Sequence, residues 1–247
     1  MNGSNVPRLV GICLLGLAAT MVITAITFGA ATGESDMSRD EIAEFLTDAE
    51  EEESLFAVAI GSQIVGGALL LAVAAGLHLV LRERSQFAGH FALAALVAAS
   101  AFSLINAGAN FTMATLATDF AEGGAGGAGD PEVLQAARTV GALDTFAYLS
   151  VIALTGIGVA AFASTLRART VEPAVITPPR WLGWVGVAGG ALSVGAWLVL
   201  LDEGFFAVSS LGQLLVLVWS LLFGGWLVMR AGQEGGKQAA AFEPAAG

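Results

Sequence analysis

The chain has 247 residues, 56% of them hydrophobic and only 13% charged, with a formal charge of −11. So little charge excludes an ordinary soluble domain, and the acidic balance excludes a nucleic-acid partner, which needs a basic stripe. Cys13 is the single cysteine, which excludes an intramolecular disulfide and any CxxC metal or redox site.

Six apolar runs follow one another: Leu9–Ala31, Leu55–Leu81, Phe87–Ala117, Val140–Leu166, Trp181–Leu201 and Phe205–Met229. Each reaches the roughly 20 residues that cross about 30 Å of hydrocarbon as a helix. The first is longer than the roughly 7–15 apolar residues of a signal peptide and reads as a retained span. The predicted fold is all-α: one integral membrane bundle of six transmembrane helices over residues 1–247, with no room for a separate soluble domain.

Orientation follows from the basic residues. Arg8, Arg82, Arg84, Arg167, Arg169, Arg180, Arg230 and Lys237 share one side, and only Arg39 and Arg138 fall on the other. Basic loops stay inside, so both termini are expected in the cytoplasm. The opposite side then holds most of the carboxylates, a coat that attracts cations and repels anions. With nine Arg and one Lys, the same coat fits salt adaptation, and the expected location is the cytoplasmic membrane of a prokaryote.

In chain order, the first outer loop, 32–54, carries its own short acidic helix. Ser38 and Glu41 have capping-box spacing, and Ile42, Phe45, Leu46 and Ala49 recur at helical intervals to make one apolar stripe. That helix is expected to lie apolar side down over the outer mouth of the bundle. Glu50 to Glu53 follow at its C-terminal end, where the helix dipole disfavours anions. A bound cation, high salt or a helix break before the second span would each relieve them. Arg82-Glu83-Arg84-Ser85-Gln86 forces spans two and three into antiparallel neighbours. The outer loop 118–139 holds a flexible Gly123–Gly129 run, then Asp130 as an N-cap with Pro131 at the first helical position. A helix from Pro131 to Leu166 would run about 54 Å. Pro178-Pro179 stops any helix before span five. Spans five and six turn at Asp202-Glu203-Gly204, and residues 230–247 read as a flexible cytoplasmic tail. Trp181, Trp184 and Trp226 sit near the inner boundary as interfacial anchors.

Glycines mark close helix contacts. Gly186 and Gly190 form a GxxxG pair with Gly183, Gly189 and Gly195 on the same span, packing either inside the bundle or against another copy or another membrane protein.

The stretch Pro179-Arg180-Trp181-Leu182-Gly183, leading into span five, resembles a family of prokaryotic multi-span membrane proteins of unknown function. In that family a similar Pro-Arg-Trp-Leu-Gly stretch precedes a late helix, and the agreement extends to the layout of spans two to six. The acidic first outer loop is longer here than that pattern. The resemblance implies a helical membrane bundle and brings no activity and no site residues.

Ionisable groups within spans are costly and mark function by default. Asp144 lies about one turn into span four, with Tyr148 at i+4. Asn106 and Asn110 are an i, i+4 pair in span three, and Gln63 and Gln213 stand eight residues into spans two and six. Thr20, Thr24 and Thr27 climb one face of span one. All fall in the outer half at similar depth. They read as a pocket with Asp144 as its charge, as a hydrogen-bonded packing network, or with Asp144 solvated at the headgroups. His78 and His90 end span two and begin span three at matching depth, a pair that can snorkel or ligate haem or a metal. No carboxylate or thiol is spaced to complete a metal site, so no metal and no resident cofactor is expected.

No GxSxG turn, HExxH helix or phosphate-cradling loop is present, so an enzyme is not expected. The leading reading is a membrane protein that binds a small cationic or polar solute from outside, as a transporter or sensor. The alternatives are an accessory subunit that packs through glycine faces and a haem-bearing redox protein.

Overall fold

The computed structural model describes residues 5–32, 42–81, 85–122, 131–167, 178–202 and 204–241. They contain seven α-helices and one 3-10 segment: α1 (Asn5–Thr32), α2 (Ile42–Glu51), α3 (Glu53–Leu81), α4 (Gln86–Glu122), α5 (Pro131–Arg167), α6 (Arg180–Ser193), the 3-10 turn Val194–Leu200 and α7 (Phe205–Ala241). No strand occurs among them. Six stretches are long and apolar enough to cross a membrane: Val6–Thr32, Glu53–Leu79, Gln86–Ala121, Pro131–Leu166, Arg180–Leu200 and Phe205–Arg230. Leu9, Ile26, Phe87, Phe111 and Leu211 are all more than half exposed. Such side chains are satisfied by lipid, and the protein is a multi-pass membrane protein.

Local chemistry sets the helix ends. Pro131 opens α5, where a missing N–H costs nothing. Pro179, with φ −57° and ψ 134°, stands outside α6 and passes its carbonyl to the Leu182 N–H at 3.1 Å. The acidic run Glu50–Glu53 contains a break: α2 ends at Glu51, Glu52 is a turn, and α3 begins at Glu53. Splitting the run this way puts Glu53 in the first turn of a helix, where the dipole favours an anion. The last connection closes as expected, with Asp202 Oδ1 accepting from the Gly204 N–H at 2.8 Å. Two features differ from the sequence reading. Span five finishes as a 3-10 helix, and α7 runs on to Ala241, so residues 230–241 are helical where a flexible tail was expected. The Gln, Lys and Ala residues there propagate a helix already nucleated by the span. The Ser38–Glu41 capping box, Arg39, the Gly123–Gly129 run, the Asp130 cap, Arg82, Arg84, Arg169, Glu203 and residues 242–247 lie outside the described residues.

Two compact units divide the chain. The first comprises 1–18, 69–98 and 152–247 and is knitted by glycine. The spot a side chain would fill at Gly186 is occupied by the Ala163 methyl and the Trp219 indole, and at Gly190 by the Gly156 carbonyl and Ala160. Gly189 meets Leu215, Gly212 meets Leu192 and Ser193, and Gly11 and Gly224 face each other. The GxxxG pair is therefore used inside the chain to bring α5, α6 and α7 together, where van der Waals contact replaces the hydrophobic drive absent in lipid.

The second unit comprises 19–68 and 99–151. Ile42, Phe45, Leu46 and Ala49, the expected stripe of α2, are all buried. They join Ala31, Phe56, Ile60, Ala107, Met113, Ala117, Phe120 and Ala137 in one apolar cluster. Phe45 meets Phe56 edge-on at 6.0 Å, and Phe28 lies 5.7 Å from Phe56. Edge contacts of this kind add about 0.5–1.5 kcal/mol beyond area burial, which fixes α2 against the helices around it.

Candidate functional site

Directly beside that cluster in sequence, α4 and α5 bring three polar side chains together. Asp144, Asn106 and Asn110 are 7%, 5% and 1% exposed. The four-residue spacing of the asparagines puts both on one face of α4. Asn106 Nδ2 donates to Asp144 Oδ1 at 2.5 Å and to the Asp144 carbonyl at 3.3 Å. Asn110 Nδ2 donates to the same Oδ1 at 2.8 Å, to the Asn106 carbonyl at 3.2 Å and to Gln63 Oε1 at 3.3 Å. Hydrogen bonds to a carboxylate are stronger than neutral ones, so this group fixes α3, α4 and α5 in register.

Serines continue the network along α3. Ser103 Oγ donates to the Gln63 carbonyl at 3.1 Å, and Ser100 Oγ to the Gly67 carbonyl at 2.7 Å. Gly67 permits this, since any Cβ there would press on Ser103. Thr24 and Ser62 share a hydroxyl contact at 2.5 Å between α1 and α3.

The acceptor side is less complete. Both amides converge on Oδ1, and the bonds among the described residues leave Asp144 Oδ2 unused. Asn110 Oδ1 is buried with no hydrogen-bond partner. The donors that reach Asp144 are neutral amides. Chemically, this is an oxygen-rich spot that holds one carboxyl group, and among the described residues no charged donor bonds to it.

Of the six expected lining residues, the structure brings together Asp144, Asn106, Asn110 and Gln63. Tyr148 is 41% exposed. The buried positions of α5 advance from Ala137 through Gly141 and Asp144 to Ala147, a step of three after Asp144, which leaves i+4 off the buried face. Gln213 belongs to the other unit. Thr27 bonds back to the Ile23 carbonyl of its own helix. Ser100, Ser103 and Ser62 were not singled out, since short hydroxyls in an Ala-rich span carry no periodic signal.

His78 and His90 do meet, in the first unit, with ring centroids 5.0 Å apart and planes at 63°. Among the described residues no group of three or more His, Cys, Asp or Glu side chains is placed to hold a metal.

No curated protein and no solved structure matches the chain. One family model does, over residues 9–231, which takes in all of the polar network. It describes a domain of unknown function, DUF4386, and the chain belongs to that family.

Proposed function

We propose that the protein binds a small monovalent cation or protonated amine at Asp144, entering from the outer side, in a transporter or sensor of a prokaryotic cytoplasmic membrane. The observation that carries this reading is the unpartnered Asn110 Oδ1 beside a carboxyl group with one unused oxygen. A carboxylate within a span is expensive unless paired, and an acceptor left bare costs about 1–3 kcal/mol. One cation answers both deficits. The amides would hold Oδ1 and leave Oδ2, Asn110 Oδ1 and Gln63 Oε1 for the ligand. In the orientation given by the basic residues, both termini are cytoplasmic, and the acidic outer coat concentrates cations where they enter.

The test is thermal stability of detergent-purified protein in sodium, potassium and alkylammonium salts across pH, beside Asp144→Asn. A ligand at about 100 times its dissociation constant adds about 2.7 kcal/mol to the folded state. Stabilisation of the wild type and not of the variant supports the reading, whereas identical responses in both sink it. The accessory-subunit alternative loses its main support, because Gly186 and Gly190 pack within the chain. Among the glycines whose surroundings are described, Gly29, Gly61, Gly108 and Gly225 face open space and remain available to it.

A further inference from the structure

The histidine pair carries an inference separate from the Asp144 site. His90 Nδ1 lies 2.6 Å from the Gln86 carbonyl oxygen. A carbonyl only accepts, so Nδ1 bears the proton and, in the neutral ring, the lone pair stands on Nε2. A ring N–H tied to a backbone carbonyl is the outer support that orients metal-bound imidazoles and raises their basicity. His78, one helix away on α3, has a buried Nδ1 with no hydrogen-bond partner. The two rings therefore combine an oriented lone pair with an unmet nitrogen, 5.0 Å apart by their centroids.

That separation discriminates between metals and haem. With a metal–nitrogen bond of about 2.05 Å and a ring centre about 1.15 Å further on, two imidazoles on a tetrahedral ion have centres about 5.2 Å apart. Two imidazoles on opposite sides of a haem iron would stand about 6.4 Å apart on the same bond lengths. The observed 5.0 Å matches the first and is too short for the second. Centroids 5.0 Å apart leave no gap for a porphyrin between the rings.

We propose that His78 and His90 together bind one divalent transition-metal ion of zinc type, four-coordinate, with water or a small anion in the remaining positions. Two protein ligands make the site exchangeable rather than permanently filled, in keeping with the lack of a third ligand among the described residues. His90 is exposed, which gives the ion an aqueous approach from that ring, while the unmet Nδ1 of His78 lies buried behind it. When bound, it ties α3 to α4.

The experiment is a zinc chloride titration of the full-length, detergent-solubilised protein, purified through a tag without histidine and stripped with chelator. Wild type is expected to take up one ion per chain and to melt higher with zinc. His78→Ala and His90→Ala should each bind at least about tenfold more weakly, with the folding of the metal-free variants checked by their own melting curves. Cobalt(II) on the wild type should give the intense visible bands of a four-coordinate ion. If an alanine variant does not fold, His90→Gln and the cobalt spectrum decide. Absence of zinc uptake by the wild type, equal uptake by the double variant, or the weak spectrum of six-coordinate cobalt would each overturn the proposal.

Discussion

The two units solve the same packing problem with different chemistry. In the first, helices approach through glycine: Gly156 against Gly190, Gly186 against Trp219, Gly212 against Ser193. In the second, α2 is held by a phenylalanine cluster, and α3, α4 and α5 by amides around a carboxyl group. Helix α5 uses both methods, with Asp144 in one unit and Gly156 in the other. Glycine contacts are tight and neutral, and the Trp219 Nε1 that packs on Gly186 is itself buried without a hydrogen-bond partner. The amide contacts leave a buried acceptor, Asn110 Oδ1, beside a carboxyl group. What sets the second unit apart is that its unpaired atom is an acceptor next to a carboxyl group within a span.

The sharpest way to break the comparison is Gly190→Leu. The obstacle there is the Gly156 carbonyl, which is backbone and cannot rotate away, so the cost should exceed about 4 kcal/mol and folded protein should be lost in a detergent melting assay. Gly61→Leu is the matched control, because nothing lies within 4 Å of that position, and it should change stability by less than about 0.5 kcal/mol. Phe45→Ala attacks the second unit. Removal of a fully buried ring should cost about 3 kcal/mol, visible as faster limited proteolysis near α2. Asp144→Ala leaves two buried amides without their acceptor, which should cost about 2 kcal/mol, while Asp144→Asn keeps the size and should cost less. Ser100→Ala removes one hydroxyl bond to the Gly67 carbonyl and should cost only about 0.6 kcal/mol, the average for such bonds in membranes. An effect of several kcal/mol at Ser100 would show that the second unit depends on its polar bonds far more than its aromatic cluster suggests.

Sequence periodicity was enough to find the buried stripe of α2, since Ile42, Phe45, Leu46 and Ala49 stand in an otherwise acidic segment and the contrast is strong. The Asn106–Asn110 pair and Asp144 were legible for a related reason: polar groups in an apolar run are few, and topology put them at one depth. Tyr148 stands four residues after Asp144, the same spacing as the asparagines, yet its side chain is 41% exposed, which the spacing alone does not foretell. The glycine contacts could be located but not assigned to a partner, because a residue without a side chain carries no hint of what fills its place. The 3-10 ending of span five gave no signal at all in Val194–Leu200, an apolar stretch with no proline or polar break.

That 3-10 ending alters the reach of the last hairpin. Seven residues rise about 14 Å as a 3-10 helix and about 10.5 Å as an α-helix. Span five is the shortest of the six at 21 residues, and the overwound end lengthens it by about 3.5 Å. Winding those residues back into α form would draw the Asp202 turn inward by the same amount. Helical pitch as well as residue count therefore sets the reach of this hairpin, and a thinner membrane would favour the shorter form.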